Sequence, residues 1–141
     1  MFTYKCYVTR IVDGDTIDVD IDLGFGMIYK KQRVRLMAID TPESRTRDLE
    51  EKFYGKQSKY FLQDLLEAND MKCRLISHDK GKFGRILGEI FVDAHEASVN
   101  DVLIANHHAV PYYGDSKELT IEHHLKNRKA LNAQGIVYIV K

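Results

Sequence analysis

The sequence predicts a mixed β and α domain in which five strands close into a barrel and three helices pack around it. Residues 2–40 alternate apolar and polar side chains with a period of two, as half-buried strands do. The spacing then changes to a helical one, and two strand-like and two helical segments follow. The chain has 141 residues, 44% of them apolar, which suits one core, so we expect a single domain over residues 1–141.

The first three strands are predicted from this alternation and from the turns between its segments. The first strand covers residues 2–12, and the turn DGD at residues 13–15 joins it to a second strand that begins at Thr16. Acidic residues occupy one face of the second strand, and we expect that face to be solvated: Asp18, Asp20 and Asp22. A third strand is predicted over residues 27–40, and it ends before Pro42 because proline cannot donate to a strand ladder.

The remaining elements are predicted as a helix, two strands and two helices, over residues 53–68, 71–77, 84–92, 98–106 and 117–130. Ser98 is the expected N-cap of the second helix. Three strands, a helix, two strands and then helices is the element order of a five-stranded OB-fold barrel. This barrel carries many functions, so the predicted fold does not by itself indicate an activity.

Composition and charge exclude several classes of protein. The sequence has no run of eighteen apolar residues and no signal-peptide pattern at its start, so we expect no membrane partner and a cytoplasmic monomer, cellular or phage-encoded. The 21 basic residues balance 21 acidic ones, so net charge does not indicate a polyanionic partner. Cys6 and Cys73 lack CxxC spacing, and we expect buried reduced thiols, with a disulfide as the alternative.

Two carboxylates are predicted to meet where the second and third strands pair. Asp15 begins the second strand and Asp40 ends the third, and antiparallel pairing makes those two ends neighbours. Close carboxylates repel unless a hard divalent cation lies between them. Calcium and magnesium accept such oxygens together with waters and backbone carbonyls, here that of Thr41. We therefore expect an open cation site, which metal-assisted hydrolysis requires.

Three further residues complete a hydrolytic set. Arg35 lies on the same predicted strand as Asp40, and its planar guanidinium suits phosphate oxygens. Glu43, on the following loop, is placed to orient or deprotonate a water beside the cation. Arg85 begins the fifth predicted strand after Gly84, which permits close approach of a ligand. Each residue alone is more typical of a surface or an ion pair, but together they indicate phosphodiester hydrolysis.

The motifs that carry these residues resemble the staphylococcal nuclease-like, or thermonuclease, family. They are VDGDTI, VRLMAIDTPE, YGKQS and KFGRILGEI, at residues 12–17, 34–43, 54–58 and 82–90, in the family's order and at nearly its spacings. The resemblance implies an OB-fold and a nuclease that depends on one Ca²⁺ ion. It also implies hydrolysis of DNA and RNA to 3′-phosphate products, and we expect single strands to be preferred.

By motif position, the resemblance implies catalytic groups, metal ligands and substrate contacts. The catalytic groups are Arg35, Glu43 and Arg85, with Glu43 as general base or water-orienting group and the arginines as the phosphate-binding pair. The metal ligands are Asp15, Asp40 and the Thr41 carbonyl, and Asp13 matches an aspartate near the metal that is not a direct ligand. The substrate contacts are Lys82, Phe83, Tyr112 and Tyr113. Phe83 replaces a family tyrosine, and the two tyrosines are spaced differently from the family pattern.

The sequence also allows two other interpretations. The first is a catalytically silent OB-fold module that binds single-stranded nucleic acid through Phe83, Tyr112 and Tyr113. The second is a transition-metal hydrolase built on the histidine pairs at residues 107–108 and 123–124. Neither pair has the spacing of a zinc motif, and adjacent helical residues point about 100° apart. We expect these histidines to be surface residues near a polar helix.

Overall fold

The computed structural model describes residues 2–80 and 84–140, and within them the predicted barrel with three helices is confirmed. The strands are β1 (Phe2–Asp13), β2 (Thr16–Asp22), β3 (Ile28–Leu36), β4 (Ile39–Asp40), β5 (Lys72–Lys80), β6 (Ile86–Phe91) and β7 (Val110–Pro111). The helices are α1 (Leu49–Glu67), α2 (Val99–Ala105) and α3 (Lys117–Ala133). None of the helices in the described ranges is both long and apolar enough to cross a membrane.

The barrel closes in the order β1-β2-β3-β6-β5. Neighbouring strands pair antiparallel except β3 and β6, which run parallel and complete the closure. The apolar positions of the alternating strands point inward, as Ile17, Val19 and Ile21 show with side chains that are at most 3% exposed. Leu62 and Leu66 of α1 pack into the same core, so this helix is fixed against one end of the barrel.

The third strand is shorter than predicted, and Asp40 does not lie on it. The chain leaves β3 after Leu36 and turns through Ala38, whose φ of 61° is left-handed. It then forms β4, which pairs with β7 in a separate two-stranded sheet, Asp40 opposite Val110. The prediction of one continuous strand to residue 40 was therefore wrong, because β7 offers Asp40 a pairing that the local pattern does not reveal.

The first helix begins one turn earlier than predicted. Asp48 is its N-cap and accepts hydrogen bonds from the backbone nitrogens of Glu50 and Glu51 at 3.1 and 3.2 Å. Two acidic residues in the first turn also favour this start through the helix dipole. The predicted N-cap Ser98 is confirmed, since its hydroxyl accepts from the Asp101 nitrogen at 3.1 Å.

The three aspartates of β2 point outward as predicted, but each has a structural partner. Asp18 receives both the Nε and Nη2 groups of Arg33, at 2.8 and 3.2 Å. Asp20 accepts from the Lys31 nitrogen at 3.0 Å, and Asp22 accepts from the Gly24 nitrogen at 2.8 Å. These contacts tie β2 to β3 and to the start of the turn between them, and therefore these three carboxylates belong to the scaffold.

Cys6 and Cys73 are free thiols, as predicted, and they lie directly opposite each other on β1 and β5. Both are buried in the core, at 5% and 4% exposure. A hydrogen bond to Cys6, together with burial, raises the pKa of the Cys73 thiol. The Cys73 thiol is accordingly neutral at physiological pH.

Candidate active site

Asp15 is held by the turn between β1 and β2. Its Oδ1 accepts from the Thr16 hydroxyl at 3.0 Å, and its Oδ2 accepts from the Thr41 nitrogen at 3.2 Å. The turn itself packs against α1 through Gly14, where an added Cβ would lie 2.8 Å from Ser58 Cβ. Asp15 is only 9% exposed, so the fold positions this carboxylate with little freedom.

Asp40 is fixed by a histidine from the last helix. The Nε2 atom of His124 lies 2.8 Å from Asp40 Oδ2. An ionised carboxylate can only accept, so His124 Nε2 donates this hydrogen bond. The other ring nitrogen, Nδ1, is buried and has no hydrogen-bond partner among the described residues. Asp40 Oδ1 is left facing Arg35.

Arg35 brings the two carboxylates together. Its Nη2 atom lies 3.3 Å from Asp15 Oδ2 and 3.8 Å from Asp40 Oδ1. Its Nη1 and Nη2 groups also donate to the carbonyls of Leu36 and Ile39, at 2.8 and 2.9 Å. Four contacts on one planar group hold the guanidinium in a single orientation. The predicted proximity of the two acids is present, although through β4 instead of an extended β3.

Arg35, Asp40 and His124 line a cavity of about 550 Å³ between the barrel and α3, and Asp15 lies behind Arg35, outside that lining. The lining includes five of the predicted site residues: Arg35, Asp40, Thr41, Glu43 and Tyr112. Glu43 itself is exposed on the loop. Tyr113 is 79% exposed and does not line the cavity, so Tyr112 is the tyrosine placed to meet a ligand there.

Arg85 lies at the start of β6, apart from the cavity lining. Because β6 pairs with β3, Leu87 is the register partner of Arg35 and Arg85 precedes it by two residues. Its Nε atom is buried and has no hydrogen-bond partner in residues 2–80 and 84–140. The other two predicted substrate contacts, Lys82 and Phe83, fall outside the described residues.

The backbone of Glu43 rests directly on α1. A Cβ added at Gly55 would lie 2.3 Å from the Glu43 carbonyl oxygen and 2.6 Å from the Ser44 nitrogen. Only glycine permits that approach. Ser58, one turn later on α1, donates from its hydroxyl to the His108 carbonyl at 2.7 Å. Through Gly55, the motif YGKQS therefore lets the backbone of the Glu43 loop pack directly against α1.

Of the predicted surface histidines, His108 is buried and His124 is half-buried, so the prediction was wrong for His108 and incomplete for His124. His108 is 6% exposed, with its ring centroid 4.6 Å from that of Phe61. Burial, with a smaller effect from His107, lowers the pKa of His108 to about 4. The His124 side chain is 11% exposed because it packs against Asp40. A partner 84 residues away gives no local signal.

Glu51 is a further cavity residue that the sequence did not single out. It lies on the first turn of α1, and burial raises its pKa although the nearby Arg128 lowers it. Arg128 of α3 reaches both Glu50 and Glu51, at 3.1 and 3.4 Å. These ion pairs hold the amino-terminal turn of α1 against α3 and close one wall of the cavity.

The donor atoms suit a hard divalent cation that keeps several waters. Asp15, Asp40 and the Thr41 carbonyl offer oxygen ligands only, which calcium and magnesium prefer. The Thr41 hydroxyl is buried with no hydrogen-bond partner among the described residues, so an unused oxygen is present beside them. No group of three or more His, Cys, Asp or Glu side chains in the described chain is placed to hold a metal ion. A site here would rely on two carboxylates and on water.

Comparison with known proteins places these residues in a family. The sequence model of a family described as "Staphylococcal nuclease homologue" matches residues 33–134. An uncharacterized protein of Bacillus anthracis is 32% identical over 115 residues, 79% of this chain and 49% of that protein. The thermonuclease of Staphylococcus hyicus is 32% identical over 90 residues, 64% of this chain and 48% of that protein.

A third relative is the endonuclease YncB of Bacillus subtilis (strain 168), 32% identical over 98 residues, 67% of this chain and 42% of that protein. The chain thus spans about half the length of the relatives it matches or less. The family match covers most of the chain and includes Arg35, Asp40, Glu43 and Arg85. The chain therefore belongs to the staphylococcal nuclease homologue family.

Proposed function

We infer that this chain is a calcium-dependent nuclease that hydrolyses phosphodiester bonds in DNA and RNA, with single strands preferred and 3′-phosphate products. The observation that carries this proposal is the contact of one guanidinium nitrogen of Arg35 with both Asp15 and Asp40. The half-buried guanidinium of Arg35 and the two carboxylates, at the edge of a cavity, form an oxygen-rich site with positive charge already in place. That arrangement suits a phosphodiester group and a hard cation together. Similar relatives named thermonuclease and endonuclease support the same reaction class.

A bound calcium ion, held by Asp15, Asp40 and the Thr41 carbonyl, would supply charge that favours ionised oxygens in the site. Arg35 would donate to the phosphate oxygens and offset the charge that gathers in the transition state. Its bonds to Leu36 and Ile39 orient it before the substrate arrives, so little reorganisation is needed.

Glu43 would accept a proton from the attacking water while the new bond forms between the water oxygen and phosphorus. The bond from phosphorus to the 5′-oxygen breaks, and that oxygen takes up a proton from solvent. Phosphate remains on the 3′ side. Arg85, whose Nε has no hydrogen-bond partner among the described residues, would be the second phosphate ligand, and Tyr112 would contact the nucleotide from the cavity wall.

The test is a time course on end-labelled single-stranded DNA, duplex DNA and RNA, with calcium, magnesium or a chelator, followed by end-group analysis. We expect cleavage with calcium, faster on single strands, and 3′-phosphate ends. Tight binding without cleavage under every condition would instead indicate the silent OB-fold module. Full cleavage in excess chelator would refute the role of the cation.

The Glu43→Gln variant tests the proton acceptor, because the amide keeps the shape and loses the basicity. We expect a loss of at least 100-fold in turnover with an unchanged melting temperature. Glu96→Gln, at an exposed carboxylate on another loop, is the matched control and should behave as the wild type. Near-normal turnover of Glu43→Gln would remove this residue from the mechanism.

A further inference from the structure

Five cationic side chains converge on a groove beside the candidate active site. This basic groove, of about 310 Å³, is lined by Arg10 of β1, Arg45 of the Glu43 loop and three lysines of α1, together with Tyr60. The three lysines are Lys52, Lys56 and Lys59. The lining contains no carboxylate. The chain as a whole has no net charge, so this concentration of one sign is local.

None of the five cations forms an ion pair in the part of the chain that the structure describes. The lysines are spaced i, i+4 and i+7, so they project from one face of α1 and repel each other. The two acidic residues of the first turn, Glu50 and Glu51, are bound instead by Arg128 of α3. Within the described residues the fold therefore leaves the three lysines without a paired carboxylate, at a cost of a few tenths of a kcal/mol for each like-charged pair.

The basic groove and the site cavity meet at one peptide bond. Glu43 lines the cavity, and Ser44, its neighbour, lines the groove together with Val12. The charge of Arg45 also reaches Asp13, whose pKa is raised by burial and lowered in part by Arg45. The two depressions are therefore lined by neighbouring residues of the Glu43 loop, so a strand with one phosphate in the cavity would have the groove as its nearest basic surface.

We propose that the basic groove binds the sugar-phosphate backbone of the nucleic-acid strand outside the scissile nucleotides. Unpaired cations without any carboxylate suit successive phosphates. Tyr60, half exposed at the same groove, offers a ring on which a base can stack without sequence preference. This inference rests on the proposed function and deepens it, because it gives the enzyme a preference for long strands over short ones.

The test compares the triple variant K52Q/K56Q/K59Q with the control K30Q/K126Q/K129Q. Both lose three positive charges, but the control lysines are exposed and outside the basic groove and the site cavity. Binding of fluorescein-labelled dT20 and dT3 is measured by anisotropy in chelator, from 50 to 300 mM salt. Hydrolysis of both oligonucleotides is measured separately with calcium.

We expect the groove variant to bind dT20 roughly 10- to 100-fold more weakly at low salt, and the slope of log K against log salt to fall by about 2. Binding and hydrolysis of dT3 should stay within twofold of the wild type. The KM for dT20 should rise while kcat is kept, as for a contact made equally in ground and transition states. Y60L should weaken dT20 binding with no change in the salt slope.

Equal behaviour of the groove and control variants on dT20 would overturn the proposal, as would an equal loss on dT3. Wild-type protein that binds polyglutamate better than dT20 would also overturn it, and would assign the groove to an acidic protein. Failure of the proposed function is separate, since it would abolish hydrolysis of both lengths while the length-dependent binding remained.

Discussion

Replacing Gly55 by alanine should damage catalysis far more than stability. The added Cβ would lie 2.3 Å from the Glu43 carbonyl oxygen, 2.4 Å from its carbon and 2.6 Å from the Ser44 nitrogen. Real Cβ contacts are essentially never shorter than 3.0 Å, so the Glu43 backbone must retreat by about 0.7 Å or more. These neighbours are backbone atoms and cannot rotate away. The methyl group therefore displaces the loop that carries the proposed base.

The expected loss of stability in Gly55→Ala is much smaller than the expected loss of catalytic rate. Overpacking of this kind costs about 1–3 kcal/mol, and the better helix propensity of alanine returns about 0.5–1 kcal/mol. The net loss of about 0–2.5 kcal/mol leaves a domain of ordinary stability folded. A displacement approaching 1 Å at a reacting group lowers the rate about 100-fold. Gly55→Ala should thus be folded and nearly inactive.

The assay pairs urea unfolding with the rate of calcium-dependent cleavage of a labelled DNA strand. Gly24→Ala is the control, because Gly24 has a φ of +81° and nothing lies within 4 Å of its added Cβ. That change should cost about 1–2 kcal/mol of backbone strain and leave cleavage by the folded protein intact. A fully active Gly55→Ala protein would refute the claim that α1 positions Glu43.

Three other predictions follow from the site and its surroundings. Arg35→Lys replaces a fork that makes four contacts by a point charge, so kcat/KM on single-stranded DNA should fall well over tenfold; an unchanged value would make Arg35 structural. His124→Phe removes the donor to Asp40 and should weaken calcium binding about 10- to 100-fold in a calorimetric titration, whereas His124→Gln should retain most of it; equal affinities in both variants would contradict the orienting role. His108, with a folded pKa of about 4 against 6.5 unfolded, binds its proton more readily in the unfolded chain. The contribution of neutral His108 to the free energy of unfolding is therefore fully present above pH 6.5 and is lost as pH falls towards 4, by up to about 3 kcal/mol. In urea unfolding, the stability of His108→Phe should lack this pH-dependent loss. A wild type and a variant whose stabilities fall in parallel with pH would refute the assignment to His108.

The barrel could be predicted from the sequence because the alternation of apolar and polar side chains along a strand involves only neighbouring residues. Ile17, Val19 and Ile21 show the period directly, and the DGD turn marks the first hairpin. The start of α1 was predicted one turn too late, although Asp48 followed three residues later by Glu51 is a local N-terminal signature. The stripe of lysines on α1 is visible in sequence as well, at helical spacing.

What local pattern could not predict depends on contacts between distant segments. The break after β3 passes through Ala38, a residue type that gives no hint of a left-handed conformation. Asp40 is paired by β7 and His124, which lie 70 or more residues further along the chain. Arg10 and Arg45 join the lysines of α1 only once the barrel is closed. Register and burial of this kind are properties of the folded chain.

The central claim is that Asp15 and Asp40 hold one cation together beside Arg35. Calorimetric titration of calcium into the wild type, Asp15→Asn and Asp40→Asn tests it most directly, with Asp20→Asn of the β2–β3 scaffold as control. We predict one ion per wild-type chain, at least tenfold weaker binding in each site variant and no change in the control. Wild-type affinity in either site variant would contradict the shared site.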